Sequence, residues 1–264
     1  MLEAFWGLSG KPFDKSIKPE QLFMSNAVKE LLSRLDYLKQ HRGLMLITGQ
    51  PGTGKTTVLR TFISQLTELS YKSFYVPLAT VNVLDFYRQL NQKLGGEQYH
   101  YKAQLFESIQ HHIKDLVSNT KKIPVIIFDE AHLLKNENFT ELQILLNFNM
   151  DSTDPALVIL AGQPHLADRL MRPILKSFYQ RITLKYQLLP LQKDEVQLFI
   201  EHHLKLNGCN QSPFSPSAIE AIFKNTAGVP RLVATLAIHT MTLGMMQKTD
   251  SLTEEHVFQA NHEL

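Results

Sequence analysis

The sequence predicts an α/β fold: a parallel five-stranded sheet flanked by helices, followed by a small all-α region. Three observations predict it. Short apolar runs alternate with stretches of helical periodicity up to about residue 190, the pattern of a parallel sheet covered on both faces. One of these strand–turn–helix units carries Gly49-Gln50-Pro51-Gly52-Thr53-Gly54-Lys55-Thr56-Thr57, a glycine-rich turn placed between an apolar run and an amphipathic helix. After Pro190-Leu191 nothing resembles a strand, and four helical segments follow.

The elements are expected in this order. Residues 1–25 form an aromatic strap, where Phe5, Trp6, Phe13 and Phe23 lie among Gly7, Gly10, Pro12 and Pro19, residues that block regular structure. Its rings must be buried, and the strap is expected to pack on the main domain, with part of it covering the base of a bound nucleotide. Ser25-Asn26 then cap a helix over 27–41, with Leu31, Leu32, Leu35 and Leu38 on one face. The first strand is 44–48, and the helix after the glycine turn is expected over 56–69. A second strand over 71–76, a helix over 83–94 closed by Gly95-Gly96 and a helix over 102–118 come next. The third strand is 123–128, the next helix 139–150, and the last strands 156–160 and 182–188. The closing helices are 195–206, 216–225, 229–246 and 253–262. The expected domains are therefore a strap over 1–25, an α/β body over 26–190 and a helical lid over 191–264.

Composition narrows the class of protein. At 264 residues and 44% hydrophobic, the chain can bury a sizeable core. A formal charge of +2 and a pI near 8.5 neither demand nor exclude nucleic acid. The single Cys209 rules out an intramolecular disulfide and fits a reducing, cytoplasmic compartment. The most apolar late stretch, 232–246, carries His239 and several threonines and is shorter than the ~20 apolar residues of a membrane helix. No secretory signal and no membrane association are expected.

Two motifs carry chemistry. The glycine turn fits G-x-x-x-x-G-K-[ST], the Walker A phosphate loop. Glycine lets the backbone approach phosphates with no Cβ in the way, and consecutive N–H groups of the loop point inward at a helix N-terminus, where an anion is favoured. Gln50, Pro51, Gly52, Thr53, Gly54, Lys55, Thr56 and Thr57 are the expected ATP-binding residues. Lys55 would reach the β- and γ-phosphates, and the Thr56 hydroxyl would hold Mg2+. Val125-Ile126-Ile127-Phe128-Asp129-Glu130 is the second motif, an apolar strand ending in two acids. Ligands of open α/β sheets bind at that edge. Asp129 would hold Mg2+, and Glu130 would polarise the attacking water. Asp129-Glu130-Ala131-His132 also spells a helicase box, a coincidence in a chain this short, and His132 reads as a helix-start or surface histidine. The span 169–193 holds Arg169, Arg172, Lys176, Arg181, Lys185 and Lys193 and no acid. It is a solvated face, a subunit interface or a surface for DNA phosphates.

These residues resemble the AAA+ ATPases over nearly the whole chain. Within them the likeness is to the ExeA/GspA-like group and to the transposition ATPases of the TnsC, TniB and MuB type. Phe5-Trp6-Gly7-Leu8 followed by Lys11-Pro12-Phe13 is similar to the opening of that group. The resemblance implies a P-loop AAA+ fold with a small all-α lid. It also implies three further site residues: Gln163, after Leu160-Ala161-Gly162, as the sensor of the γ-phosphate; Arg181, in Tyr179-Gln180-Arg181-Ile182, as the arginine finger; and Arg231, in Gly228-Val229-Pro230-Arg231, as the sensor-2 arginine of the lid. Arg169 and Arg172 compete with Arg181 for the finger. The resemblance implies hydrolysis of ATP with Mg2+ in a homo-oligomer assembled head-to-tail, as a ring or a helical filament. Double-stranded DNA and a transposase are the expected partners of a transposition helper that selects target DNA. A secretion-assembly ATPase and a slow nucleotide-gated switch are the alternatives.

Overall fold

The structure, a computed structural model, describes residues 2–14, 16–77, 82–150 and 152–262. Its contacts divide the chain into two compact units. One joins Met1–Lys29, Gln50–Thr61 and Leu189–Leu264; the other joins Glu30–Gly49 and Phe62–Leu188.

The second unit is built on a five-stranded sheet of β1 (Gly43–Thr48), β2 (Tyr71–Pro77), β3 (Ile123–Asp129), β4 (Leu157–Gly162) and β5 (Ile182–Gln187), ordered β2-β3-β4-β1-β5. Every pairing is parallel. The inner strands β1 and β4 are buried along their whole length, and β3 is buried from Pro124 onward. Their sequences are apolar at successive positions, as strands covered on both faces must be. The edge strands β2 and β5 mix buried and solvent-facing positions and carry Lys72 and Lys185. Register sets the C-terminal edge: Thr48 lies opposite Gly162, and Pro77 opposite Asp129.

Helices α4 (Val83–Leu94), α5 (Lys102–Ser118), α6 (Asn136–Leu145), α7 (His165–Leu170) and α8 (Lys176–Gln180) complete this unit with most of α2 (Asn26–His41). Phe86, Leu105, Ile109, Ile113, Phe139 and Phe178 share one core with Phe128 and Leu160 of the sheet. The Asn82 side chain caps α4 by accepting the Asp85 N–H, and Gly95 ends the helix at φ 91°, a conformation natural to glycine.

The other unit holds α9 (Lys193–Leu206), α10 (Pro216–Thr226), α11 (Pro230–Met246) and α12 (Glu254–His262) around Ile200, Leu204, Ile222, Val233, Met241 and Val257. The strap belongs here, with the short helix α1 (Leu2–Phe5) inside it. Leu8 and Phe13 are part of this helical core, with Trp6 and Phe23 packed against it. The Trp6 Nε1–H donates to the Met241 carbonyl at 3.0 Å, and Phe13 stacks within 5.1 Å of His203. The expectation that the strap's rings pack on the α/β body is corrected: Phe13 is buried in the helical core, Trp6 and Phe23 are partly buried against it, and Phe5 stays exposed.

Two element boundaries also differ from expectation, and two short helices are unexpected. α3 (Lys55–Ser64) stops five residues short of position 69, and Leu69 is 82% exposed, so the apolar spacing there does not mark a buried face. α6 runs from Asn136 to Leu145 rather than over 139–150, because Asn149 and Met150 take left-handed backbone, and Met150 is 99% exposed. The short helices α7 and α8 lie in and beside the basic span, where the sequence carries no helical periodicity long enough to mark them.

Candidate functional site

The glycine turn and the turn that opens α11 meet within the helical unit. Gly52 and Gly54 adopt φ 87° and 95°, left-handed values that side chains resist. Thr53 closes the turn, its N–H and hydroxyl both donating to the Gln50 carbonyl at 3.3 and 2.9 Å. Lys55 is buried, and its Nζ donates to the same carbonyl at 3.1 Å. The Gly54 carbonyl accepts Val58 N–H at 2.9 Å, so the turn passes directly into α3. Thr56 lies exposed in the first turn of α3.

Arg231 is delivered to this turn by backbone. Its N–H donates to the Gly52 carbonyl at 3.2 Å. A Cβ on Gly52 would come within 2.9 Å of the Arg231 Cβ and 3.1 Å of Val229. Gly52 is therefore required twice, for its dihedral and for this close approach. The Gly228-Val229-Pro230-Arg231 turn is fixed in turn by Gly228, at φ 72°, whose carbonyl accepts the Leu191 N–H at 2.9 Å. Pro230 then starts α11 with φ pre-set for a helix.

The acidic end of β3 and the end of β4 lie on the C-terminal edge of the sheet unit. Asp129 is 2% exposed. Its Oδ1 accepts the Glu130 N–H at 2.9 Å, and its Oδ2 accepts the Tyr75 hydroxyl at 2.9 Å. Burial first, then this hydrogen bond to the carboxylate, pushes the Tyr75 phenol well above its ordinary pKa. It therefore stays protonated and donates. Glu130 follows at φ 53°, a left-handed backbone uncommon for glutamate, with its side chain half exposed. Gln163 comes directly after β4, and the Gly162 carbonyl beside it accepts the N–H of Gly49, the first residue of the glycine turn, at 3.2 Å.

The finger candidates separate. Arg181 precedes β5, whose Ile182 pairs with Leu44 at the start of β1, so it sits at the N-terminal edge of the sheet. That is one strand length, roughly 17–20 Å, from the Asp129 edge. Its Nη1 donates to the Gln143 carbonyl at 2.7 Å, and burial disfavours its charged form. Arg169 turns inward: its Nη1 donates to the His132 carbonyl at 3.0 Å and its guanidinium lies 5.2 Å from the Phe139 ring centre. Arg172 is exposed. Inward packing makes Arg169 a poor cation for a neighbouring chain.

His132 matches the helix-start reading and not the surface one. It lies in the short 3-10 turn Ala131–Leu133, with a side chain only 9% exposed. Tyr75 is a site residue that no sequence motif marks. It reads as an ordinary edge-strand aromatic, and only the β2–β3 register brings its hydroxyl to Asp129.

The residues fit Mg-ATP. Gly52 and Gly54 hold the turn in left-handed backbone and a buried ammonium adjoins it; separately, a buried carboxylate ends β3. Among the described residues no group of three or more His, Cys, Asp or Glu is placed to hold a metal. A magnesium ion carried on phosphates needs only one or two carboxylates.

A parallel sheet, a phosphate loop at the end of its first strand and an arginine-led helix at that loop define a phosphate-loop nucleotide-binding protein. The family profile described as AAA domain matches residues 38–170, half of the chain, and the chain belongs to that family. It is 34% identical to the General secretion pathway protein A of Aeromonas hydrophila over 240 residues, 88% of this chain and 43% of that protein. This chain spans about half the length of the curated relatives it matches. Among solved structures it is similar to Cdc6p from Pyrobaculum aerophilum, with a TM-score of 0.67 at 16% identity over 99% of this chain and 70% of that one. It is also similar to Drosophila ORC bound to DNA, with a TM-score of 0.62 at 17% identity over 98% of this chain and 71% of that one. These likenesses establish the AAA+ fold, a parallel five-stranded sheet flanked by helices with a helical C-terminal region. Among the described residues no helix is long and apolar enough to cross a membrane.

Proposed function

We infer that the chain binds ATP with Mg2+ and hydrolyses its β–γ bond. The observation that carries this reading is the backbone hydrogen bond from Arg231 to Gly52, which sets the lid arginine at the phosphate loop. Gln50 to Thr57 form the phosphate cradle, in which every residue but Pro51 carries an N–H donor. Lys55 and Arg231 hold the charge that spreads over the γ-phosphoryl oxygens. Thr56 and Asp129 are the residues that would hold a magnesium ion, which would neutralise phosphate charge. Glu130 orients the attacking water, and Gln163 contacts the γ-phosphate. The Arg60 guanidinium donates to the Ile17 carbonyl at 2.8 Å, which ties the strap to the helix of the phosphate loop and supports its covering the adenine.

Arg181, at the opposite end of the sheet from Asp129, acts on a neighbour's nucleotide rather than on its own. Its position supports a head-to-tail homo-oligomer, ring or filament. The test of the enzymatic reading is Glu130→Gln. It should retain ATP affinity and lose turnover by about a hundredfold or more; unchanged turnover would refute the role.

What the ATP cycle drives follows the relatives. The likeness to a secretion-pathway protein supports a secretion-assembly ATPase over a transposition helper that recruits a transposase. Binding of duplex DNA with ATP, ADP and a slowly hydrolysed analogue at two salt concentrations separates them. ATP-dependent binding that weakens steeply with salt returns the transposition reading; its absence under every nucleotide leaves the secretion reading.

A further inference from the structure

His132 has no part in the scheme above, yet it sits where the ends of β3 and β4 are tied together. Its Nδ1 lies 3.3 Å from Oε2 of Glu130. Among the described residues it is the basic side chain that touches this carboxylate. The opposite side of the residue is held by the segment after β4. The Arg169 Nη1 donates to its carbonyl at 3.0 Å, and the exposed His165 ring packs edge-on against its ring at 5.2 Å. Gly162 leaves room for the His132 backbone, since an added Cβ would lie 3.2 Å from the His132 nitrogen. His165 and Arg169 thus grip His132 at its ring and carbonyl, and Gln163 lies just before them in the same segment.

We propose that His132 is the positioning residue of Glu130: its buried ring fixes the carboxylate that orients water and links it to the γ-phosphate-sensing segment after β4. The proposal rests on the ATPase reading. A glutamate on a left-handed backbone, with its side chain half in solvent, has many orientations open to it, and orientation is a large part of what such a base contributes. A ring whose own freedom is removed by α7 and β4 restricts the carboxylate at little cost in entropy. A shift of Gln163 towards or away from a phosphate would move the grip and so the glutamate. The Arg169 Nε and Nη2 are buried without hydrogen-bond partners, which leaves the guanidinium free to re-pair as the grip shifts.

The experiment compares His132→Leu, which keeps bulk and removes the ring nitrogen, with His132→Asn, whose amide reaches the position of Nδ1. Turnover at saturating ATP, affinity for a slowly hydrolysed analogue and thermal stability are measured for each. His132→Leu should lower turnover about ten- to a hundredfold and leave affinity within about twofold. His132→Asn should recover a substantial part of the loss. In a Glu130→Gln background, His132→Leu should lower residual turnover no further, because the residue acts through the glutamate. Full turnover in His132→Leu, an asparagine no better than leucine at equal stability, or an additive loss in the double variant would each overturn the proposal. If His132→Leu does not fold, His165→Ala at the exposed edge of the grip decides: a severalfold loss of turnover at unchanged affinity supports the link, and none refutes it. A wild-type chain that binds ATP without turning it over overturns the ATPase reading first, a result distinct from an indifferent His132.

Discussion

Gly228→Ala should unseat the arginine-bearing turn, and the structure gives the size of the effect. At φ 72° any side chain pays the left-handed penalty, about 1–2 kcal/mol. Overlap costs more. The new Cβ would lie 2.0 Å from the Leu191 carbonyl oxygen and 3.0 Å from its carbonyl carbon. An ordinary carbon–oxygen contact is about 3.3 Å or more. The obstacle is backbone, so the two segments must part by about an ångström, and the Leu191 N–H to Gly228 carbonyl bond of 2.9 Å goes with them. Loss of that bond adds about 1 kcal/mol. Together the dihedral, the overlap and the lost bond reach about 3–5 kcal/mol before relaxation. Gly208→Ala is the control: it lies in the same unit at φ 86°, with no atom nearer than 3.8 Å, so it carries the dihedral penalty alone. Urea unfolding followed by circular dichroism should place Gly228→Ala about 2–3 kcal/mol below Gly208→Ala. Its ATP affinity should fall as well, since Arg231 is three residues on. Equal destabilisation by the two variants would refute the reasoning.

Two further perturbations follow from buried polar groups. Tyr75→Phe removes the hydroxyl that anchors Asp129 Oδ2. The Mg2+ concentration for half-maximal turnover should rise severalfold while affinity for metal-free ATP stays unchanged; an unaltered Mg2+ requirement contradicts the anchoring. His203 is 7% exposed, and burial, then the nearby His202 charge, lowers its pKa from 6.5 to about 4. A depressed pKa means the unfolded chain binds the proton more readily, so stability is full above about pH 6.5 and falls as pH drops towards 4. The loss should reach at most roughly 3 kcal/mol, and in His203→Phe the slope of melting temperature with pH over this window should flatten.

Much of the site is legible in the sequence because its parts are local. The phosphate loop needs glycines and a lysine at fixed spacing within one turn, and the structure supplies left-handed Gly52 and Gly54 and a buried Lys55 at those places. Asp129 is legible because a wholly apolar strand ending in acids can end only at a sheet edge. The inner strands are legible for the same reason. What is not legible depends on register and on contacts distant in sequence. Tyr75 and Asp129 are 54 residues apart, and Arg169 and His132 are 37 apart. No spacing rule joins either pair. The strap shows the limit from the other side: composition says neither which of its four rings are buried nor by which helices, and Phe5 is left 41% exposed. Leu69 and Met150 show that apolar spacing extends a predicted helix into residues whose side chains end in solvent.

The measurement that tests the central claim most directly is calorimetric titration of the folded chain with Mg-ATP, beside Lys55→Ala. The account predicts saturable binding of one nucleotide per chain. It predicts that removing the buried Lys55 ammonium abolishes or severely weakens this binding while the fold persists. No heat of binding from the intact chain, or equal binding by Lys55→Ala, would contradict it.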